Sequence, residues 1–384
     1  MLIYDVNLHT MEEVGTFYGY LQMEGGRIMA LGPMADCPPL QPGDVDGQGG
    51  DLYPGFVDAH CHLGLLADGL PYDQDDCNEE SDPITPHLRA IDALYPLDRC
   101  FQEAREGGVT TVLTGPGSAN PIGGQFAAVK TAGQWVDRMV VKAPVAMKFA
   151  LGENPKGTYG EKKEAPMTRM ATAALIRENL AQAAEYLRKQ EGAKADPEKD
   201  PPDFDAKLEA LVPVVKGELP AHFHAHRADD IATAVRIAKE FGLDYVILHG
   251  TEGHLVADLL AQEGARVVTG PIIGDRSKPE LAHQRVENTA ILARAGVQVA
   301  ICTDHPENPI QYLPVAAALT CRAGLDRETA LRAITCDAAD IAGIGDRVGS
   351  LRLGKDADLV LWSGHPFDFS SAIQGVWIDG TRVK

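Results

Sequence analysis

The chain predicts an α/β protein in which a closed (β/α)8 TIM barrel carries a small β-sandwich domain built from both termini. Three observations lead there. The middle of the chain alternates short apolar runs with helical patterns, the signature of parallel strands joined by crossover helices. Both ends read as β-hairpins. Metal-type residues, His60, His62, His224, His249 and Asp304, stand at the ends of apolar runs, where such a barrel presents its chemistry. At 384 residues the chain exceeds one average domain, and a barrel uses about 250 residues as one unit. Residues 55–345 are therefore assigned to the barrel, and 1–54 with 346–384 to the sandwich.

In chain order, Tyr18 to Met23 and Arg27 to Leu31 flank the turn-forming Glu24-Gly25-Gly26. The run Phe56 to Ala59 leads into His60 and His62, which share one face of an extended strand. Further strand ends fall at Thr114, Thr131, Leu151, His226, His249, Gly270 and Asp304. The strand before Thr131, GQFAAVKT, is the weakest of the eight and competes with a hairpin excursion. The acidic stretch Asp68 to Asp82 follows the first barrel strand, so a lid over the mouth and a solvated loop are both open. Thr168 is positioned to cap an Ala-rich helix running to about Gln190, and EGAKADPEKDPPDFD after it reads as a solvated excursion. Asp229 to Phe241 is a helix ending at Gly242. The closing hairpin places Asp379-Gly380 between alternating apolar positions.

Charge and composition exclude several function classes. There are 35 basic and 55 acidic residues, a formal net charge of -20, with no basic run that could track a phosphate backbone. Nucleic acid and anionic membrane are poor partners, and a small-molecule substrate is expected. No apolar stretch is long enough to span a bilayer, and the first residues lack a secretory pattern, so a cytoplasmic location is expected. Seven cysteines, with no CxxC, argue against a disulfide framework and a thiolate metal site.

Imidazoles and a carboxylate suit a divalent ion, zinc first, with iron or manganese as alternatives. His222, His224 and His226 alternate onto one face, and of these His224 is the expected ligand. His222 is read as structural and His226 as a substrate or outer-layer group. Asp304 can both bind a cation and take a proton from water. Glu153 and Lys148 compete for a further ligand position. A free ammonium repels a cation, so Lys148 qualifies only if carboxylated, and Glu153 is the simpler choice. His254, Asn120 and Lys156 are candidates for substrate contact. The Gly-rich GPGSANPIGGQ lacks the phosphate-loop pattern and reads as a tight loop over the pocket.

These motifs resemble the amidohydrolase superfamily, in its imidazolonepropionase-related branch. PGFVDAHCHL looks like the first-strand His-x-His, HFHAHRADDI like the fifth-strand His, VILHGTEG like the sixth and ICTDHP like the eighth-strand Asp. VGSLRLGKDADLVLW resembles the return into the small β domain. The resemblance implies a distorted barrel with a composite sandwich, one or two divalent ions, and hydrolysis of a C–N bond by metal-activated hydroxide. His60, His62, His224 and His249 become ligands. Asp304 becomes ligand and general base, and His249 or His226 polarises the scissile bond. Many binuclear members carry a carboxylated lysine on the fourth strand, the position over which Lys148 and Glu153 compete. The expected reaction is hydrolysis of a cyclic or linear amide. A nucleobase-type deaminase, a prolidase-like dipeptidase and a non-catalytic barrel scaffold are the alternatives, and a homo-oligomer is expected.

Overall fold

The computed structural model describes residues 1–66 and 75–384. Part of the acidic stretch Asp68 to Asp82 therefore lies outside the described residues. Fifteen strands are formed among the described residues: β1 (Leu2–His9), β2 (Thr16–Glu24), β3 (Arg27–Pro33), β4 (Val45–Pro54), β5 (Phe56–Cys61), β6 (Val109–Thr114), β7 (Ile122–Lys130), β8 (Val140–Ala150), β9 (Ala221–Ala225), β10 (Tyr245–His249), β11 (Arg266–Thr269), β12 (Gln298–Ile301), β13 (Leu359–Trp362), β14 (Ile373–Ile378) and β15 (Thr381–Arg382). The α-helices are α1 (Arg99–Glu106), α2 (Glu153–Glu161), α3 (Arg169–Ala195), α4 (Ala206–Val215), α5 (Ala228–Phe241), α6 (Ala257–Gln262), α7 (Asn288–Arg294), α8 (Leu313–Arg322), α9 (Arg327–Arg332) and α10 (Cys336–Ile341).

Strands from both termini join in one seven-stranded sheet, ordered β15-β14-β13-β4-β1-β2-β3. Its hairpins turn where the sequence has residues that accept left-handed backbone. Gly25 and Gly26 have φ of 57° and 79°, and Asp379 and Gly380 have 48° and 71°, the geometry that matches the twist of paired strands. Leu8, Leu21, Leu52, Leu361 and Trp377 pack there in a core of their own.

The second sheet has eight strands, β5 through β12 in sequence order. Most neighbours are parallel, but β7 runs antiparallel to both β6 and β8. The cause is connection length. Only residues 115–121 separate β6 from β7, and a parallel return needs a dozen or more. The hairpin alternative for this segment is the one that forms, so Thr131 lies at the rim opposite the mouth. Elsewhere crossover helices run as expected. Thr168 accepts a hydrogen bond from the Ala171 amide at 3.1 Å to start α3, and Gly242 ends α5 with φ 64°.

The barrel is nearly closed between β5 and β12. Toward the base, residues 333–334 enter the seam. The Val57 N–H donates to Ile334 O (2.8 Å) and the Ile301 N–H to Ala333 O (2.9 Å). Toward the mouth, the His62 N–H donates to His305 O (2.9 Å) and the Asp304 N–H to His60 O (3.2 Å). The buried Asp58 carboxylate ties the two strands between these levels. It accepts from the Thr303 backbone N–H at 3.1 Å, from the Thr303 hydroxyl, and from the His60 N–H at 3.2 Å. Among the described residues, no helix is long and apolar enough to cross a membrane.

Candidate metal centre

Along β9 the period-2 alternation sends Ala221, Phe223 and Ala225 outward, into the core shared with α3 and α5. His222 and His224 therefore face the barrel interior. β10 is in register, Leu248 opposite His224 and His249 opposite Ala225, so a regular strand would turn His249 outward with Ala225. It does not, because His249 takes a left-handed backbone with φ 68° and its ring lies 4.6 Å from that of His224. Asp304 is likewise left-handed at φ 54°. Such conformations cost of order 1–3 kcal/mol in non-glycine residues and tend to persist at functional sites.

Two clusters result. The ligand atoms of His60, His62 and Asp304 lie within 4.8 Å of one another, and so do those of His224, His226 and His249. Asp304 Oδ1 is 3.3 Å from His60 Nε2 and 3.4 Å from His62 Nε2. Its Oδ2 is 4.0 Å from His249 Nδ1. The outer layer fixes which ring nitrogen faces inward. The His62 Nδ1–H donates to Gly115 O (2.7 Å) and the His249 Nδ1–H to Gly270 O (2.8 Å), which leaves each Nε2 available, as in oriented metal-ligating histidines. His224 Nδ1 is hydrogen-bonded to Ser118 Oγ at 2.9 Å, and His226 Nδ1 to Thr251 Oγ1 at 2.7 Å.

Burial pushes His60, His224, His226 and His249 below the ordinary histidine range, which keeps them in the neutral form a cation requires. His62 goes the other way. Burial lowers it, but Cys77 and Asp304 carry it up to about 10. Burial works against the Asp304 carboxylate, yet His249, His60 and His62 hold it well below the usual range.

The fit to a cation shows in the buried atoms left without hydrogen bonds. Both ring nitrogens of His60, Asp304 Oδ1 and Lys148 Nζ make none, although buried polar groups are normally satisfied. Lys148 is fully buried on β8, 5.6 Å from the Phe126 ring centroid, and its field reaches His60, His222, His224, His226 and His249. Burial lowers its amine to about 8.

Four sequence-derived candidates are placed elsewhere. Glu153 begins α2, three residues past the end of β8, and joins neither cluster; its backbone N–H donates to Glu280 Oε2 at 3.0 Å. Lys156 is exposed on α2 and is not among the described residues lining the cavity. The Asn120 amide is consumed by structure, accepting from Tyr159 Oη (2.6 Å) and donating to Glu79 O (2.8 Å) and Thr85 Oγ1 (2.9 Å). His254 lies on the short turn after β10, also off the cavity lining. His222 is buried beneath the clusters, where burial lowers it to about 3, in keeping with a structural role.

His62, His224, His226, His249 and Asp304 line the floor of a cavity of about 790 Å³, with His60 buried beneath it. Its walls include Cys77, Gly117 and Ser118, Asn154, and much of the segment from Gly270 to Asn288. Sequence reasoning passed over Asp58, Ser118, Asn154, Lys278 and Glu280. Only Ser118 had a signal, inside the Gly-rich loop assigned to the pocket.

A family model described as the amidohydrolase family matches residues 52–383. The chain belongs to the amidohydrolase family. It lies in the imidazolonepropionase-related branch. The imidazolonepropionase of Maricaulis maris is 25% identical to it, over 94% of this chain and 92% of that protein. Amidohydrolase tasK of Hapsidospora irregularis is 32% identical over 88% of this chain, which spans 36% of tasK's length. The crystal structure of an amidohydrolase from Thermotoga maritima MSB8 superimposes with a TM-score of 0.95 at 42% identity, covering 100% of this chain and 99% of that one. Hydrolysis is the chemistry that goes with this family.

Proposed function

We propose that this chain is a metal-dependent hydrolase that cleaves the C–N bond of a small cyclic or linear amide. The observation that carries the reading is the convergence of two buried three-residue clusters on one cavity floor. His60, His62, His224, His249 and Asp304 would hold the ion or ions, zinc being the first expectation. Lys148 replaces Glu153 as the candidate for a further ligand, carboxylated on the amine that burial brings down to about 8. A divalent ion there supplies an acidified water and a Lewis acid for the scissile carbonyl.

The chain's own residues do the rest. Asp304, kept ionised by the surrounding imidazoles, accepts the proton from the attacking water at a carboxylate oxygen and returns it to the leaving nitrogen. His226 Nε2 orients the substrate, its ring held by Thr251 Oγ1. Elemental analysis of protein purified without chelators tests the assignment. We expect close to two ions per chain, falling to one or none in Lys148→Ala and unchanged in Glu153→Ala. One ion unaffected by Lys148→Ala would shift the reading to a deaminase. A 5-methylthioadenosine/S-adenosylhomocysteine deaminase of Desulforudis audaxviator is 25% identical to the chain, so ammonia release from adenosine-type nucleosides would be assayed beside amide hydrolysis.

A further inference from the structure

The cavity wall brings cations to a chain that carries a net charge of -20. Three of them, Arg276, Lys278 and Arg285, come from the loop between β11 and α7. They are not equivalent. Arg285 is occupied by Glu287 at 3.2 Å, and exposed Arg276 donates to Gln284 O at 3.1 Å. Lys278 is half-buried and pairs with no carboxylate among the described residues. Its Nζ donates to Asn154 Oδ1 at 3.4 Å, and Asn154 Nδ2 in turn lies 3.5 Å from His224 Nε2. The ammonium therefore stands one amide group away from the metal-type histidines, close enough for its field to act on His226.

We infer that Lys278, oriented by Asn154, is a seat for a substrate anion, and that the amide hydrolysed carries a carboxylate near its scissile bond, as an N-acyl amino acid does. This rests on the amidohydrolase reading above. Among the described residues the ammonium has one long, neutral hydrogen bond, and a charge-assisted bond to a carboxylate is stronger than that one. Among the described residues neither rim carboxylate, Asp275 or Glu307, forms an ion pair with Lys278; the carboxylate it acts on is the buried Glu280, at longer range. Glu280, in the short 3-10 turn that Lys278 precedes, is buried with Oε1 3.7 Å from His226 Nε2. Its other oxygen accepts from the Glu153 N–H at 3.0 Å, so neither oxygen is ion-paired with Lys278.

The test uses calorimetric binding to the metal-loaded protein. The probes are the N-acetyl derivatives of glycine, leucine, phenylalanine and histidine, each matched with its decarboxylated N-acetyl amine. The best acid is expected to bind about tenfold tighter than its amine. Lys278→Met and Lys278→Gln should each close that gap, and Lys278→Arg should keep most of it. Two neutral variants guard against one failing to fold. Acids binding no tighter than amines, or a gap that survives both neutral variants because the carboxylate binds the metal instead, would overturn the assignment. Turnover is read separately. Amide hydrolysis without the gap removes the seat and leaves the amidohydrolase reading, whereas the gap without hydrolysis of any amide does the reverse.

Discussion

The two halves of the metal centre are held by different means. His224 and His249 stand on adjacent strands whose ladder is unbroken from Tyr245–Ala221 to His249–Ala225. The ladder fixes their backbones, and the left-handed φ of His249 with its bond to Gly270 O brings the ring inward. His60, His62 and Asp304 stand across the seam between β5 and β12, where no ladder forms and residues 333–334 intervene. There a single buried carboxylate, Asp58, ties the strands together, together with two backbone bonds at the rim. A ladder distributes its load over many bonds, whereas the seam concentrates it in one side chain. The seam half should accordingly be the more fragile.

The largest effect expected is chemical. Asp304→Asn should lower kcat by roughly 10²–10⁴-fold, the range for losing a general acid–base group. An activity loss below tenfold would remove Asp304 from its proton-transfer role.

Next comes the contrast itself. Asp58→Ala leaves the Thr303 N–H, the Thr303 hydroxyl and the His60 N–H without their acceptor, and should cost about 3 kcal/mol of stability together with metal content. Ser118→Ala on the ladder side removes one bond to His224 and should cost about 1 kcal/mol, with metal affinity down roughly 10-fold. Chemical denaturation and metal titration of the two variants would show it. Equal costs would mean that the seam is no weaker than the ladder.

A smaller effect concerns pH. His60, His222, His224, His226 and His249 are all depressed by burial, so the unfolded chain takes up protons first as pH falls. Their contribution is complete above about 6.5, the unfolded value, and is lost as pH drops toward the folded value, about 3 for His222. Asp58, raised by burial to about 7, and His62, carried to about 10, act in the opposite sense. Within the centre, the five depressed imidazoles and the depressed Asp304, set against the raised Asp58, Glu280 and His62, predict a lower melting temperature for chelated protein at pH 5 than at pH 7.5. A flat profile would mean that the buried imidazoles are not held neutral. The smallest effects belong to the discarded candidates: Lys156→Ala and His254→Ala should leave kcat/KM within about twofold, since surface changes away from such features are nearly neutral.

The strand-end positions of His60, His62, His224 and Asp304 were legible in the sequence, because period-2 alternation and apolar runs are local properties. So were the glycine-containing hairpins, the Thr168 cap and the Gly242 terminus, each set by a few neighbouring residues. The reversal of β7 was half-legible, in a connection too short for a helix. The inward turn of His249 was not. It depends on a left-handed φ at a residue that seldom adopts one, imposed by its neighbours in space. The sequence ranked Glu153 above Lys148, and the structure places Glu153 in neither cluster. Only the chain path after β8 decides which of them reaches the interior. Asp58 and Lys278 belong to the same class, because their partners, Thr303 and Asn154, are 245 and 124 residues away. Local pattern determined which side chains could bind a metal, and long-range packing decided which of them are oriented to do so.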